Sequence, residues 1–168
     1  MIETTNIILN NTQIHQKIKR IAYQIYEVNY LEDEIVIAGI ANNGYKLAEK
    51  IVTELRNISN LDIKLCKVLI DKKKPLEEIT TDIAPEEYTN KSIVLVDDVL
   101  HSGTTLIYAV KHFLDVPLKK FKTAVLVNRN HKKYPIKADF KGISLSTSIK
   151  EHVVVEFEND DIIAYLEE

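Results

Sequence analysis

The chain has 168 residues, 45% of them hydrophobic and 28% charged, a balance that suits one globular domain with a full core and excludes an intrinsically disordered chain. A formal net charge of -3 argues against a surface that coats nucleic acid by bulk charge, and the single cysteine, Cys66, excludes a disulfide framework or a cysteine metal centre. The amino-terminal stretch MIETTNIILNNTQ has no basic segment followed by an apolar core, and no run approaches ~18 apolar residues, so a cytoplasmic protein with no membrane segment is expected.

Apolar residues recur at Ile14, Ile18, Ile21, Ala22, Ile25 and Val28, three or four apart, which predicts an amphipathic helix over about 12–30, capped by Asn11 or Thr12. His15, Lys17, Lys19 and Arg20 fall on its other, solvated face. EIVIAGIA at 34–41 predicts a buried strand, and Leu47, Ala48, Ile51, Val52 and Leu55 predict a helix over about 45–56. The turn joining them, Gly39-Ile40-Ala41-Asn42-Asn43-Gly44, lies at a strand's carboxyl end and is rich in residues that tolerate positive φ, so inward-pointing backbone amides are expected there. DIKLCKVLI at 62–70 alternates as a half-buried strand near a sheet edge does. From 71 to 90 the chain is charged, contains Pro75 and Pro85 and keeps no period, which predicts a mobile loop.

The most informative stretch follows, IVLVDDVLHSGTT at 93–105. Four branched or long apolar residues predict a strand covered on both faces, which puts Asp97 and Asp98 at its carboxyl end, where open α/β sheets bind ligands. Ser102, Gly103, Thr104 and Thr105 then offer amides and hydroxyls at a helix start, a seat for an anion. Two carboxylates repel a bare phosphate but suit a sugar phosphate, whose hydroxyls donate to them while its phosphate sits in the turn. Leu106, Ile107, Val110, Phe113 and Leu114 continue the helix, and 121–127 supplies the next strand, so strands and helices alternate as in a parallel sheet with right-handed crossovers. Beyond Asn128 the composition turns polar and basic before strand character resumes at 153–157 and 162–166.

The run at 93–105 resembles the 5-phosphoribosyl-1-diphosphate (PRPP) motif of the type I phosphoribosyltransferases. Further on, AVLVNRNHKKYPIKAD at 124–139, then FKG, STS and VVV, together with RIA at 20–22 and VDDVL at 96–100, is similar to the PyrR family of pyrimidine attenuation regulators and uracil phosphoribosyltransferases. The resemblance implies a single α/β domain over 1–168, with a central parallel sheet of about five strands flanked by helices, a flexible loop at about 71–90 and a small C-terminal hood at about 128–168. It implies Mg²⁺-dependent transfer of the phosphoribosyl group from PRPP to a nucleobase, uracil first, and a homodimer or higher homo-oligomer.

In that scheme Asp97 and Asp98 bind the ribose hydroxyls, Ser102 to Thr105 hold the 5′-phosphate, and Ala41, Asn42, Asn43 and Gly44 form the pyrophosphate turn. That turn commonly carries a cation in the family and carries none here, so Lys72, Lys73 and Lys74 are candidate partners of the pyrophosphate. Mg²⁺ would be held through PRPP, with Asp97 and Asp98 as the candidate protein oxygens. His101 is placed to contact the base by stacking or by moving a proton, and Arg129 to orient it from the hood. Two other readings follow: an RNA-binding regulator that uses Arg20, Lys132 and Lys137, and a catalytically weak sensor of PRPP or nucleotides.

Overall fold

The structure, a computed structural model, describes residues 6–148 and 150–167. Its centre is a six-stranded sheet. In chain order the elements are β1 (Ile7–Leu9), α1 (Asn11–Asn29), β2 (Glu34–Ile40), α2 (Asn43–Ile58), β3 (Asp62–Leu69), β4 (Thr80–Thr81), α3 (Pro85–Tyr88), β5 (Ser92–Leu100), α4 (Thr104–Phe113), β6 (Lys120–Arg129), β7 (Phe140–Leu145), β8 (His152–Glu158) and β9 (Asp161–Glu167). The large sheet has the order β4-β3-β2-β5-β6-β7, parallel throughout except for the two-residue β4 at one edge. The five parallel strands match the expected count. A second, antiparallel sheet, β1-β9-β8, forms the hood.

Both faces of the large sheet are covered, which is why β2 and β5 read as continuous apolar runs. Successive side chains alternate between two cores. Ile35, Ile37, Val94 and Val96 pack with α1, α2 and the hood residues Val153, Val155, Ile162 and Ala164. Val36, Ala38, Ile93 and Leu95 pack with Leu106, Ala109 and Phe113 of α4. Helix α1 starts one residue earlier than the spacing suggested, because Asn10, and not Asn11 or Thr12, is the cap: its Oδ1 accepts from the Gln13 amide while Gln13 Oε1 accepts from the Asn10 amide, both at 2.9 Å. Asn11 has another task, its Oδ1 accepting from the Ile162 amide at 2.9 Å in the hood.

Two boundaries differ from the sequence reading. The stretch 128–145 does not belong to the hood: β6 continues to Arg129 and β7 joins the large sheet as its last parallel strand, so the carboxyl-terminal part of the hood begins only after Leu145. Gly142 hides β7 from pattern reading, yet a Cβ there would lie 2.4 Å from the Leu126 carbonyl oxygen, so glycine is what allows the two strands to pair. The stretch 71–90 is likewise only partly a loop. Lys67 donates its amide to Asp82 Oδ1 at 2.7 Å, β4 pairs with β3, and α3 buries Tyr88 edge-on against Phe113 with ring centroids 5.0 Å apart. The segment free of such anchors is 70–79, which carries the three lysines.

Among the described residues no helix is long and apolar enough to cross a membrane.

Candidate active site

Strand β5 ends at the centre of the sheet and delivers its two carboxylates to a cleft of about 240 Å³, lined by Lys72, Asp97, Asp98, His101 and the turn that opens α4. Asp97 is buried, 3% exposed, and its Oδ1 accepts from the Asp98 amide at 2.9 Å. Burial first, and then the neighbouring Asp98 charge, push the Asp97 carboxyl well above the usual carboxylate range; Lys72, with Nζ 3.7 Å from Asp97 Oδ1, pulls the other way. Asp98 is half-buried, and its Oδ1 accepts from the Val99 amide at 2.9 Å.

The turn at 102–105 is shaped by Gly103, the one glycine of left-handed conformation, with φ of 86°. Ser102 Oγ and Thr104 Oγ1 lie 2.8 Å apart, and the Ser102 carbonyl accepts from the amides of Lys133 at 2.7 Å and Tyr134 at 3.1 Å. The polar segment after β6 thereby clamps this turn. Helix α4 starts at Thr104, so its first amides face the cleft at the carboxyl edge of the sheet.

The turn of Ala41, Asn42, Asn43 and Gly44 comes up beside the carboxylates at the end of β2, but its geometry differs from the expectation. Among the described residues, positive φ occurs at Asn90, Asn159 and Gly103 and not here. The Ala41–Asn42 peptide is cis, and the Ala41 amide donates to Val68 O at 2.9 Å. Gly44 is required for contact rather than for φ: a Cβ on it would stand 2.7 Å from Val96 O and 2.9 Å from Asp97 Cα. Asn43 takes a role that the sequence did not announce. Its Nδ2 donates to Asp98 Oδ2 at 3.1 Å and to the Val155 carbonyl of the hood at 2.8 Å, joining turn, carboxylate and hood through one amide group.

His101 and Arg129 are brought together. Arg129 Nη1 lies 2.9 Å from His101 Nδ1, Nε donates to Thr147 Oγ1 at 2.9 Å, and Nη2 donates to Thr147 Oγ1 and to the Glu151 carbonyl, both at 2.6 Å. Arg129 is 6% exposed, and its guanidinium ties the start of the hood to the end of β6, with little left to offer a ligand. Burial first, and then Arg129, push the His101 imidazole below its ordinary range, against the pull of Asp98. A second cavity of about 330 Å³, lined by His101, Ser102, Arg129, His131 and His152, adjoins the carboxylate cleft, and His101 and Ser102 belong to both.

Of the three lysines named above, Lys72 reaches the cleft, whereas Lys74 pairs with Glu77 at 3.5 Å. No cluster of three or more His, Cys, Asp or Glu exists among the described residues, and the carboxylates lining the cleft are those of Asp97 and Asp98. Such a sparse set of hard donors fits a magnesium ion that draws its other ligands from substrate phosphates and water. Sequence reasoning assigned no role to Thr147, Glu151 or His152, because nothing in their spacing shows that Arg129 and the second cavity gather them.

Residues 4–160 match the family described as phosphoribosyl transferase domain. The chain is 34% identical over 160 residues to a bifunctional protein PyrR of Streptococcus agalactiae, covering 92% of this chain and 91% of the relative. It is 37% identical over 156 residues to one of Streptococcus mutans, covering 90% and 88%. Among solved structures, a hypoxanthine-guanine phosphoribosyltransferase from Bacillus anthracis superposes with a TM-score of 0.77 at 19% identity, covering 98% of this chain and 99% of that one. The hypoxanthine phosphoribosyltransferase of Trypanosoma cruzi gives 0.78 at 15% identity, covering 97% of each. The fold is thus shared with two phosphoribosyltransferases of known structure, and the chain belongs to the phosphoribosyl transferase family.

Proposed function

We propose that the chain transfers the 5-phosphoribosyl group from PRPP to a nucleobase, uracil first, giving UMP and pyrophosphate. The observation that carries this reading is the adjacency of Asp97 and Asp98 to the turn of Ser102, Gly103, Thr104 and Thr105 in one cleft. The ribose hydroxyls donate to the two carboxylates, and the 5′-phosphate lies on the turn and the α4 amides. As the bond from the anomeric carbon to pyrophosphate breaks, pyrophosphate leaves with the electron pair and the sugar gains oxocarbenium character. The carboxylates offset that charge at no reorganisation cost, because Asn43 and backbone amides already hold them. The base nitrogen then bonds to the anomeric carbon, and its proton is lost to water.

Lys72 is the cation that enters the cleft from the 70–79 segment and supports the departing pyrophosphate, in place of the cation missing from the 41–44 turn. Asp97 and Asp98 would help hold a magnesium ion brought in with PRPP, and that ion would supply further neutralisation of the phosphates. The base occupies the second cavity beside His101 and Arg129. A homodimer or higher homo-oligomer belongs to the same reading.

The test is pyrophosphate release from PRPP and Mg²⁺ with uracil, hypoxanthine, guanine, xanthine, adenine and orotate offered separately. Release with uracil is expected, and Asp98→Asn should lower it about a hundredfold or more while leaving the fold intact. Release with no base, or release indifferent to Asp98→Asn, refutes the reading.

A second reading, an RNA-binding regulator, draws on one contact. Arg20 of α1 donates through Nη2 to the carbonyls of Lys141 at 3.1 Å and Gly142 at 2.5 Å, which sets the basic face of α1 beside β7 and the preceding segment with exposed Lys132 and Lys137. RNA affinity that depends on sequence and survives moderate salt favours this role in addition to transfer; affinity that collapses with salt for every RNA is charge attraction alone.

A further inference from the structure

We propose that His101 selects the base as a fixed hydrogen-bond donor: Arg129 holds its ring in the neutral form with the proton on Nε2, which is offered to a carbonyl oxygen of the base and takes no proton from it. The inference rests on the transferase reading and keeps the expected base contact of His101 while departing from both routes expected for it, stacking and moving a proton.

The direction of one hydrogen bond decides the tautomer. A guanidinium has only donors, so at 2.9 Å from Arg129 Nη1 the His101 Nδ1 presents its lone pair. A neutral ring with Nδ1 bare carries its proton on Nε2. The charged ring carries protons on both nitrogens and would set an N–H against an N–H, cation against cation. Arg129 cannot easily step aside, because it is buried and its Nε and Nη2 are spent on Thr147 and on the Glu151 carbonyl. The other charged or titratable groups facing the ring are Asp98 from β5, His152 at the start of β8 and Lys72 from the 70–79 segment; Asp98 alone favours the charged ring.

Position gives the tautomer a function. His101 lines both the carboxylate cleft and the second cavity, so it stands where the sugar meets the base. A ring with Nδ1 occupied and Nε2 protonated has no free lone pair, and so cannot serve as a general base. It instead discriminates among bases. An oxo group turned toward it completes a hydrogen bond, whereas an amino group meets a donor with a donor and leaves both unpaired. The substrate class is therefore a base that turns a carbonyl to this position, as an oxopyrimidine does.

Two measurements on the full chain test this. Nitrogen-15 spectra of the histidine rings, assigned with His101→Gln, should show Nδ1 bare and Nε2 protonated at neutral pH; a ring protonated on Nδ1, or on both nitrogens, overturns the inference with or without turnover. In steady-state transfer with uracil, His101→Gln, which keeps an amide donor, should hold the uracil KM close to wild type. His101→Phe, which keeps a ring and loses the donor, should raise it about tenfold or more with the PRPP KM unchanged. An equal fall in kcat for both variants is the signature of a proton acceptor and also overturns it. Wild-type protein inert with every base would instead sink the transferase reading, a result distinct from either of these.

Discussion

Asn43 stands at the join of three parts of the site, and replacing it isolates what that join contributes. In Asn43→Ala, Asp98 Oδ2 loses a donor at 3.1 Å and the Val155 carbonyl one at 2.8 Å. A hydrogen bond to a charged group is worth about 1.5–3 kcal/mol and one to a neutral carbonyl about 0.5–1.5 kcal/mol. Asn43 is half-buried, so water takes over part of both roles and the net loss is about 1–2 kcal/mol. For a domain of this size that lowers Tm by about 2–8 °C. Asn43→Asp keeps the volume but sets a carboxylate against Asp98 and against a carbonyl, so the order of both stability and turnover should be Asn, then Ala, then Asp. Thermal unfolding gives the first ranking and pyrophosphate release the second. Hydrogen exchange adds a local reading: β8 amides should exchange faster in both variants while β5 amides keep their protection. Equal Tm, equal turnover and unchanged β8 exchange in the two variants would refute the reasoning.

Other expectations follow from the same geometry. Gly103→Ala forces a left-handed conformation on alanine and puts a Cβ 2.3 Å from Ile136 Cγ2, so the PRPP KM should rise at least about tenfold; an unchanged KM removes the turn from phosphate binding. Asp97→Asn removes a charge that burial and Asp98 both oppose, so the ligand-free protein should gain ~2 °C or more in Tm while losing turnover, and a lower Tm contradicts the account of its raised pKa. The folded-state pKa of His101 is depressed by burial and by Arg129, so its contribution to stability is complete above the ordinary imidazole range and declines as the pH falls through the depressed value; His101→Asn should flatten that part of the Tm profile. Burial first, and then Asp82, push the Cys66 thiol up to about 12, so a maleimide at pH ~8 should label the protein only once it is unfolded.

The parallel sheet was legible because burial on both faces imposes a continuous apolar run, which β2 and β5 display without interruption. The gathering of Asp97, Asp98 and the 102–105 turn in one cleft was legible for a similar reason: two carboxylates and a hydroxyl-rich turn stand within nine positions of one another, and local spacing is what a sequence displays directly. Strand β7 was not, since Gly142 and the lysines of that segment break the pattern and the reason for the glycine is a backbone of another strand. Helix α3 was hidden likewise, its place fixed by contacts with distant elements: Tyr88 edge-on against Phe113 of α4, and Glu87 accepting from Lys64 of β3 at 2.7 Å. The roles of Asn43 and Arg129 lay furthest from reach. Asn43 touches Asp98 and Val155, and Arg129 touches His101, Thr147 and Glu151; partners so separated along the chain leave no periodic trace.

The hood has a consequence for the order in which the molecule assembles. Its sheet pairs Ile7 with Tyr165 and Leu9 with Ala164, so its edge strand comes from one end of the described chain and its middle strand from the other. Closing a loop of that span costs more chain entropy than any crossover within the large sheet, where neighbours such as β5 and β6 follow one another directly. During vectorial synthesis the 102–105 turn and both carboxylates have their strand partners once β7 is made, whereas the Val155 carbonyl that fixes Asn43 and the Glu151 carbonyl that fixes Arg129 arrive only with the last two strands. The cleft of Asp97, Asp98 and the 102–105 turn thus has its strand partners before the contacts of Asn43 and Arg129 are complete, and those last contacts come from the segment that joins the two ends of the described chain.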